Sequence, residues 1–244
     1  MKSFLIVIPT YNEIENIRIL IPRIFEHVEN VSVLVIDDNS IDGTSQGVSE
    51  LAKTFPQLFL ECRPSKKGLG SAYRFGFQWA LDRQFDAVVE MDADLSHRVR
   101  DLRNMIISYK ASSVDLVIGS RWIKGGQVEN WSTKRVLLSK IGNKYVQFAL
   151  GLKVMDSTSG FRIYSRDILR KIRITEIRSE GYCFQIELVR IVSNMGGSIA
   201  EIPIVFRERV FGSSKMSLKI VLEAILLVTY WGLRRVLTKI KLIK

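Results

Sequence analysis

Short apolar runs alternate with longer amphipathic stretches along most of this chain. Phe4 to Ile8 and Val31 to Ile36 have strand character, and each halts at polar residues: Pro9-Thr10-Tyr11-Asn12-Glu13 after the first, Asp37-Asp38-Asn39-Ser40 after the second. Between them, Asn12 to Val28 carries apolar residues at 14, 17, 20, 21, 24, 25 and 28, the spacing of one helical face. The alternation continues with a helix from about Thr44 to Phe55, a strand at Leu58 to Glu61 and a helix at Ser71 to Leu81. A third strand-like run, Val88-Val89-Glu90-Met91, ends in Asp92-Ala93-Asp94. Beyond it, Arg98 to Lys110 is predicted helical and Val114 to Gly119 a strand; residues 132 to 150 form an apolar-faced helix, and Gly160 to Tyr164 and Ile199 to Phe206 are strands.

This order predicts an α/β fold: an open, mostly parallel sheet, Rossmann-like, with right-handed crossovers placing helices on both faces. Parallel strands buried on both faces read as unbroken Val/Ile/Leu runs, and ligands gather beyond their carboxyl ends. The polar segments at 9–13, 37–40 and 92–94 are therefore expected to meet on one edge.

Two carboxylates one residue apart at a strand end supply hard oxygens for Mg²⁺ or Mn²⁺ and leave coordination positions open for a diphosphate. Asp-x-Asp alone also occurs in surface loops; the two companion motifs give it weight. Asp37-Asp38 reads as a turn and helix cap as well as a ligand site.

With 244 residues and no repeat or linker, the chain is expected to hold one compact unit over residues 1–217 and a C-terminal segment, 218–244. Cys62 and Cys183 are too few for a disulfide framework, which fits a reducing, cytosolic setting. The apolar start is too short for a signal-peptide core, and Glu223 interrupts the stretch from Ile220 to Leu233, so neither an export signal nor a membrane span is expected. The net charge of +11 concentrates near Lys134-Arg135, Arg162 to Arg173, Arg207 to Arg209 and the C-terminus. Leu218, Val221, Leu222, Ile225, Leu226, Thr229, Trp231, Leu233 and Val236 give the last segment a broad apolar face beside that basic tail. An anionic membrane surface explains the combination better than nucleic acid does, and no nucleic-acid partner is expected. Docking onto a small membrane-spanning subunit, or simple capping of the core, are the other readings of this helix.

Pro9-Thr-Tyr-Asn-Glu13, Asp37-Asp38-Asn-Ser-Ile-Asp-Gly-Thr44, Lys67-Gly-Leu-Gly-Ser-Ala72, Asp92-Ala-Asp-Leu-Ser-His97, Gly119-Ser-Arg-Trp122, Ser159-Gly-Phe-Arg162 and Arg209-Val-Phe-Gly-Ser-Ser-Lys215 follow in one order. In that order the chain resembles the dolichol-phosphate (polyprenol-phosphate) mannose synthases, inverting glycosyltransferases of the GT-A fold. The resemblance implies transfer of mannose from GDP-mannose to a polyprenyl phosphate, on the cytoplasmic face of a membrane. It assigns Pro9, Tyr11, Glu13, Ile36 and Asp38 to the nucleotide; Asp92, Ala93 and Asp94 to the diphosphate; and Asp92, Asp94 and Ser96 to the metal, Ser96 standing where some relatives carry Gln. Arg121, Arg209 and Lys215 match phosphate and nucleotide-sugar contacts. Arg98 departs from the family pattern, which suggests a different loop path after the metal motif.

A phosphate monoester already carries its nucleophilic oxygen as an anion at neutral pH, so this acceptor dispenses with a catalytic base. The site must instead hold two like-charged molecules, a task for arginine. Asp94, Arg121 and Arg135 are the expected catalytic residues, with Ser139 one helical turn from Arg135 as a neutral donor. Without the resemblance, Lys134 and Arg135 read equally well as a solvated helix face, Lys67-Gly-Leu-Gly70 as a mobile turn, Arg207-Glu208 as an exposed pair, and His97 as a loop-fixing side chain. Trp122, Trp131 and Tyr182 read as packing. Arg209 to Lys215 reads as a loop closing over the donor. A UDP-glucose-dependent enzyme for the same acceptor, a non-catalytic nucleotide-sugar-binding subunit and a basic nucleic-acid binder are the alternatives.

Overall fold

In the structure, a computed structural model describing residues 2–209 and 218–243, the central strand is β1 (Phe4–Thr10). It pairs in parallel with β2 (Val31–Asp37) on one side and β4 (Ala87–Glu90) on the other, and β3 (Leu58–Cys62) extends the sheet beyond β2. Past β4 lies β7 (Arg162–Ser165), antiparallel both to β4 and to β5 (Leu116–Ser120), and β8 (Ile199–Pro203) follows parallel to β5. The order β3-β2-β1-β4-β7-β5-β8 is thus mostly parallel, as the sequence pattern predicts.

Period-two alternation sends the strands' side chains into two separate cores. Leu5, Val7, Leu34, Ile36 and Val88 pack with Tyr73 and Phe77 of α3 (Leu69–Asp82) and Phe184 of α7 (Gly181–Asn194). Phe4, Ile6, Ile8, Val33 and Val89 pack on the opposite face. Their partners there are Ile17 and Leu20 of α1 (Ile14–His27), Val48 of α2 (Thr44–Thr54), and Leu102 and Met105 of α4 (Val99–Ala111). Helices therefore cover both faces. The chain builds β1, β2 and β3 in one direction and then places β4 on the other flank of β1. The crevice beyond the carboxyl ends of β1 and β4 is the switch point where α/β sheets bind ligands.

Two sequence expectations are corrected. The run Ile199 to Phe206 is two strands: β8 stops at Pro203, which has no N–H to continue a ladder, and β9 (Val205–Arg207) pairs in parallel with β6 (Gln127–Glu129), a strand too short to show a pattern. Arg162, counted above among the basic clusters, adds nothing to the surface charge. It is fully buried, donating to the carbonyls of Ser157, Ser159 and Gln185 and to the Tyr164 hydroxyl, and so pins the loop before β7. The stretch after β7, unassigned by pattern, holds α6 (Arg166–Lys171) and α7.

The C-terminal helix α8 (Leu218–Ile243) lies against α7 and α5 (Thr133–Leu150). Val228 is buried, Tyr145 and Thr229 hydroxyls are 2.6 Å apart, Arg190 sits over Trp231, and Gly232 approaches Ala149 so closely that a Cβ would lie 3.1 Å from its carbonyl oxygen. Its other side is apolar and exposed at Leu222, Ile225, Leu226, Tyr230, Leu233, Val236 and Leu237. One helix thus both caps the domain and presents an apolar face. Among the described residues no helix is long and apolar enough to cross a membrane.

Candidate active site

The loops after β1 and β2 are stitched together before they meet any ligand. Asn12 and Asn39 take the left-handed conformation, which asparagine tolerates, with φ of 57° and 60°. The N–H of Asn12 donates to Ser40 Oγ at 2.8 Å, Ile41 N–H to Asn12 Oδ1 at 3.0 Å, Glu13 N–H to Thr44 Oγ1 at 3.0 Å and Ile14 N–H to Asp42 Oδ2 at 3.1 Å. Asp37 is consumed by Thr10, Ser40 and Ser45, a structural role. Asp38 instead receives a two-point contact from Arg63, whose Nη2 is 2.8 Å from Oδ2; both side chains are 9% exposed. Arg63 also donates to Ser71 Oγ and to the Gly68 carbonyl, tying the end of β2 to the glycine loop.

That loop is held rather than free. Gly68 has φ of +94°, and Glu180 Oε2 accepts from the N–H of Gly70 at 2.8 Å, capping α3 from the start of α7. Lys66 Nζ stands 4.3 Å above the Tyr11 ring, so a cation and an aromatic face are already assembled beside Pro9. Glu13 accepts from Asn16 Nδ2 at 2.6 Å. Ile36 and Ala93 bury their side chains in the two cores, which leaves them only backbone to offer a ligand.

At the end of β4 the acidic motif turns sharply through Leu95, a non-glycine residue at φ of 62°; such strain persists only where the surroundings impose it. Asp94 Oδ1 accepts from Ser96 N–H at 3.1 Å, and Asp94 Oδ2 lies 3.4 Å from Arg209 Nη2. Asp92 Oδ2 is 3.4 Å from His97 Nε2. Burial works against the Asp92 charge, but the His97 contact and the Arg209 charge outweigh it and hold the carboxyl below its ordinary range. His97 is 2% exposed, stacked on Phe161 at 4.5 Å and edge-on to Phe206, the loop-fixing role expected of it. Arg98 begins α4 and pairs with Asp101 at 2.9 Å. Ser96 Oγ is buried with no hydrogen-bond partner. No group of three or more His, Cys, Asp or Glu side chains converges to hold a metal among the described residues. Two carboxylates and an orphaned hydroxyl, all hard oxygens, nevertheless fit Mg²⁺ or Mn²⁺ that completes its shell on a diphosphate.

Beside this motif, beyond β5, stand the two arginines. Arg121 is 5% exposed and gripped by Asp156 through Nε and Nη2, each at 2.7 Å, while Nη2 also donates to Thr158 Oγ1. Burial opposes both charges, yet each holds the other: the Asp156 carboxyl is pulled down and the Arg121 guanidinium pushed up. The Arg135 guanidinium carbon stands 3.8 Å over the Trp131 ring, and its Nη1 meets Glu208 Oε1 at 3.2 Å. A cavity of about 370 Å³ opens from Arg121, Arg135, Ser139, Thr158 and Tyr182 and runs between α5, α7 and α8 along Leu138, Ile141, Gly142, Tyr145, Ile186, Ala224, Ile225 and Val228. Arg121 and Arg135 make one end of it cationic, and its walls are apolar.

The structure therefore brings Asp92, Asp94, Ser96 and Arg209 together, and Arg121, Arg135 and Ser139 together. Phe206 joins the two groups, its ring in contact with both His97 and the Arg121 guanidinium. Lys215 and the rest of the expected closing loop, 210–217, lie outside the described residues, as do the side chains of Leu218, Val221, Lys239, Lys241 and Lys244. Arg207 and Glu208, read as an exposed pair, do not pair with each other: Arg207 holds Glu129 and Glu208 holds Arg135. Trp131 and Tyr182, read as packing, line the cavity. Asp156 and Thr158 went unnoticed although they directly precede Ser159-Gly-Phe-Arg162.

Comparison with known proteins places the chain in context. The model of "Glycosyl transferase family 2" matches residues 5–173. A polyprenol monophosphomannose synthase of Mycolicibacterium smegmatis is 45% identical over 231 residues, covering 94% of this chain and 87% of the relative. An undecaprenyl-phosphate mannosyltransferase of Micrococcus luteus is 44% identical over 229 residues, covering 94% and 93%. Among solved structures, glucosyl-3-phosphoglycerate synthase from Mycobacterium tuberculosis superposes with a TM-score of 0.69 at 18% identity, covering 95% of this chain and 80% of that one. A mannosyltransferase from Pyrobaculum calidifontis, solved with GDP-Man and Mn²⁺, gives 0.58 at 20% identity, covering 87% and 58%. At these identities the likeness carries the GT-A fold alone.

Proposed function

The chain belongs to glycosyl transferase family 2, and we propose that it transfers mannose from GDP-mannose to a polyprenyl phosphate with inversion at the anomeric carbon, releasing GDP. The observation that carries this reading is the cavity: an apolar channel with Arg121 and Arg135 at the end nearest a strand end that carries two carboxylates. A long isoprenoid with a phosphate head matches it in both chemistry and order. The names of the 45% and 44% identical relatives support the same donor sugar and acceptor class.

Each residue has a task that follows from its position. The Pro9–Glu13 loop, Asp38 and the Lys66–Tyr11 stack hold the nucleotide. Asp92, Asp94 and Ser96 would hold Mg²⁺ or Mn²⁺, which would supply Lewis-acid stabilisation of the charge on the departing diphosphate. Arg209 shares that charge from its place beside Asp94, and Lys215 is given the same task by the family resemblance alone. Arg121, fixed by Asp156, keeps Nη1 for the acceptor phosphate, and Arg135 with Ser139 and Thr158 completes the cradle. No side chain need remove a proton, because the acceptor arrives as an anion.

The membrane surface supplies the lipid. On α5, Leu137, Leu138, Ile141 and Phe148 are exposed beside the outward apolar face of α8, and Lys134, Lys140, Lys144 and Arg234 surround them. A patch of this kind, rimmed by cations, suits a peripheral position on an anionic leaflet with the channel opening into it. The test is to incubate the protein with Mn²⁺, a polyprenyl phosphate and a panel of GDP- and UDP-sugars and to identify the glycolipid by mass spectrometry. Polyprenyl phosphate mannose is expected; a glucolipid, or no product with any donor, overturns the proposal.

A further inference from the structure

Three consecutive residues at the end of β9 are tied to three different parts of the site. Arg207 Nε is 2.7 Å from Glu129 Oε2 on β6, Glu208 Oε1 is 3.2 Å from Arg135 Nη1, and Arg209 Nη2 is 3.4 Å from Asp94 Oδ2. The first contact anchors the segment, because Arg207 N–H also donates to the Ser96 carbonyl at 3.1 Å and β9 is paired with β6. The second and third contacts each use a group that a substrate needs.

A divalent cation on Asp94 and the Arg209 guanidinium compete for one carboxylate. A phosphate at Arg135 and the Glu208 carboxylate compete for one cation. Arg135 is 25% exposed and Glu208 48%, so their pair is weak enough to exchange, unlike the buried Arg121–Asp156 pair. The Glu208 N–H also donates to the Glu129 carbonyl at 3.3 Å, so the anchor reaches the Glu208 nitrogen and leaves the torsions from Glu208 Cα onward to absorb any shift. A diphosphate that draws the Arg209 guanidinium from Asp94 turns the link between Glu208 and Arg209 and adds negative charge on the Glu208 side of the site, which favours release of Arg135 by the half-exposed Glu208 carboxylate.

Resting on the donor and acceptor sites described above, we propose that Glu208 guards the acceptor cation Arg135 and that donor binding with its metal at Asp94 releases it. Donor then binds first, and the acceptor phosphate enters a cradle from which a competing carboxylate has withdrawn. Glu208 is in this sense a positioning residue: it acts through Arg135.

Isothermal titration of the whole protein tests this with farnesyl phosphate as the acceptor probe and GDP with Mn²⁺ as the donor probe. In the wild type, saturating GDP and Mn²⁺ is expected to tighten farnesyl phosphate binding roughly tenfold, and farnesyl phosphate to tighten GDP by the same factor, as linkage requires. Glu208→Gln is expected to bind farnesyl phosphate tightly without GDP, with the coupling factor reduced to about one. Glu176→Gln, which removes the same charge from an exposed pair with Arg173, is expected to keep the wild-type coupling. Equal farnesyl phosphate affinity with and without bound GDP and Mn²⁺ overturns the proposal, as does unchanged coupling in Glu208→Gln. Absence of any Mn²⁺-dependent GDP binding is a different failure: it removes the donor site itself, and the coupling with it.

Discussion

Arg121 and Asp156 meet through two parallel contacts of 2.7 Å, and the Arg121 backbone N–H adds a third to the same carboxylate at 3.0 Å. Both side chains are buried, at 5% and 0% exposure. Asp156 is itself supported, since Glu201 accepts from the N–H groups of Met155 and Asp156. The guanidinium proposed to meet the lipid phosphate is thus fixed from behind by a carboxylate anchored to β8.

Removing that carboxylate leaves a buried guanidinium without its counter-charge. Asp156→Ala is expected to lose about 3–5 kcal/mol of stability, read from the urea midpoint. Asp156→Asn keeps the shape and is expected to lose less while still raising KM for the acceptor more than KM for GDP-mannose. Equal effects on both substrates would mean that Asp156 serves the fold alone.

Asp94→Asn keeps the Ser96 N–H contact but removes the charge that a divalent ion needs. Turnover is expected to fall by about a hundredfold or more, and Mn²⁺-dependent GDP binding to weaken, with an unchanged circular dichroism spectrum. Undiminished glycolipid synthesis in this variant would place the metal elsewhere.

The pH dependence of stability reports on Glu90, fully buried near the end of β4. Burial pushes its carboxyl from 4.5 up to about 8, and the attraction of Arg162 offsets only part of that. Between these two values the folded protein keeps a proton that the unfolded chain releases, so Glu90 makes stability fall as pH rises through this window, by up to roughly 5 kcal/mol. Glu90→Gln is expected to abolish this decline in metal-free buffer. Its melting temperature should exceed the wild type's at pH 8 by more than it does at pH 5; parallel profiles would show that Glu90 is ionised in the folded state.

The membrane attachment proposed above rests on a surface shared by α5 and α8. Leu226→Glu combined with Leu233→Glu, at positions 70% and 61% exposed, is expected to cut co-sedimentation with anionic vesicles severalfold and to leave the melting temperature nearly unchanged. Raising the salt concentration is expected to weaken wild-type binding too, since Lys134, Lys140 and Lys144 act through screened charges. Binding that survives both changes would place the membrane contact on another face.

Much of this was legible in the chain because buried parallel strands leave unbroken apolar runs and their ends leave polar motifs. The strand ends at Asp38, Asp94 and Arg121 were visible for that reason. The partners that fix them were not. Arg63, Asp156 and Glu208 lie 25, 35 and 73 residues from Asp38, Arg121 and Arg135, distances over which periodicity carries no signal. The antiparallel β7 was found as a strand, but its insertion between β4 and β5 is a matter of topology and left no mark in its short sequence. Arg162 read as surface charge because a fully buried arginine depends on carbonyl partners, which composition does not reveal.

Gly142 offers a test in which stability and function move in opposite directions. It sits inside α5 on the wall of the cavity proposed for the acceptor, and a Cβ added there would meet no atom within 4 Å. Glycine inside a helix costs backbone entropy, so Gly142→Ala is expected to stabilise the protein by about 0.5–1 kcal/mol, measured by urea unfolding. A larger side chain at the same place must occupy the channel. Gly142→Phe is expected to raise KM for a long polyprenyl phosphate about tenfold or more, in proportion to one lost bulky apolar contact, while KM for GDP-mannose stays put. The effect should shrink as the isoprenoid is shortened, because a short chain leaves the deeper wall untouched. If Gly142→Phe binds long and short acceptors equally well, the lipid does not run between α5, α7 and α8, and the cavity has another use.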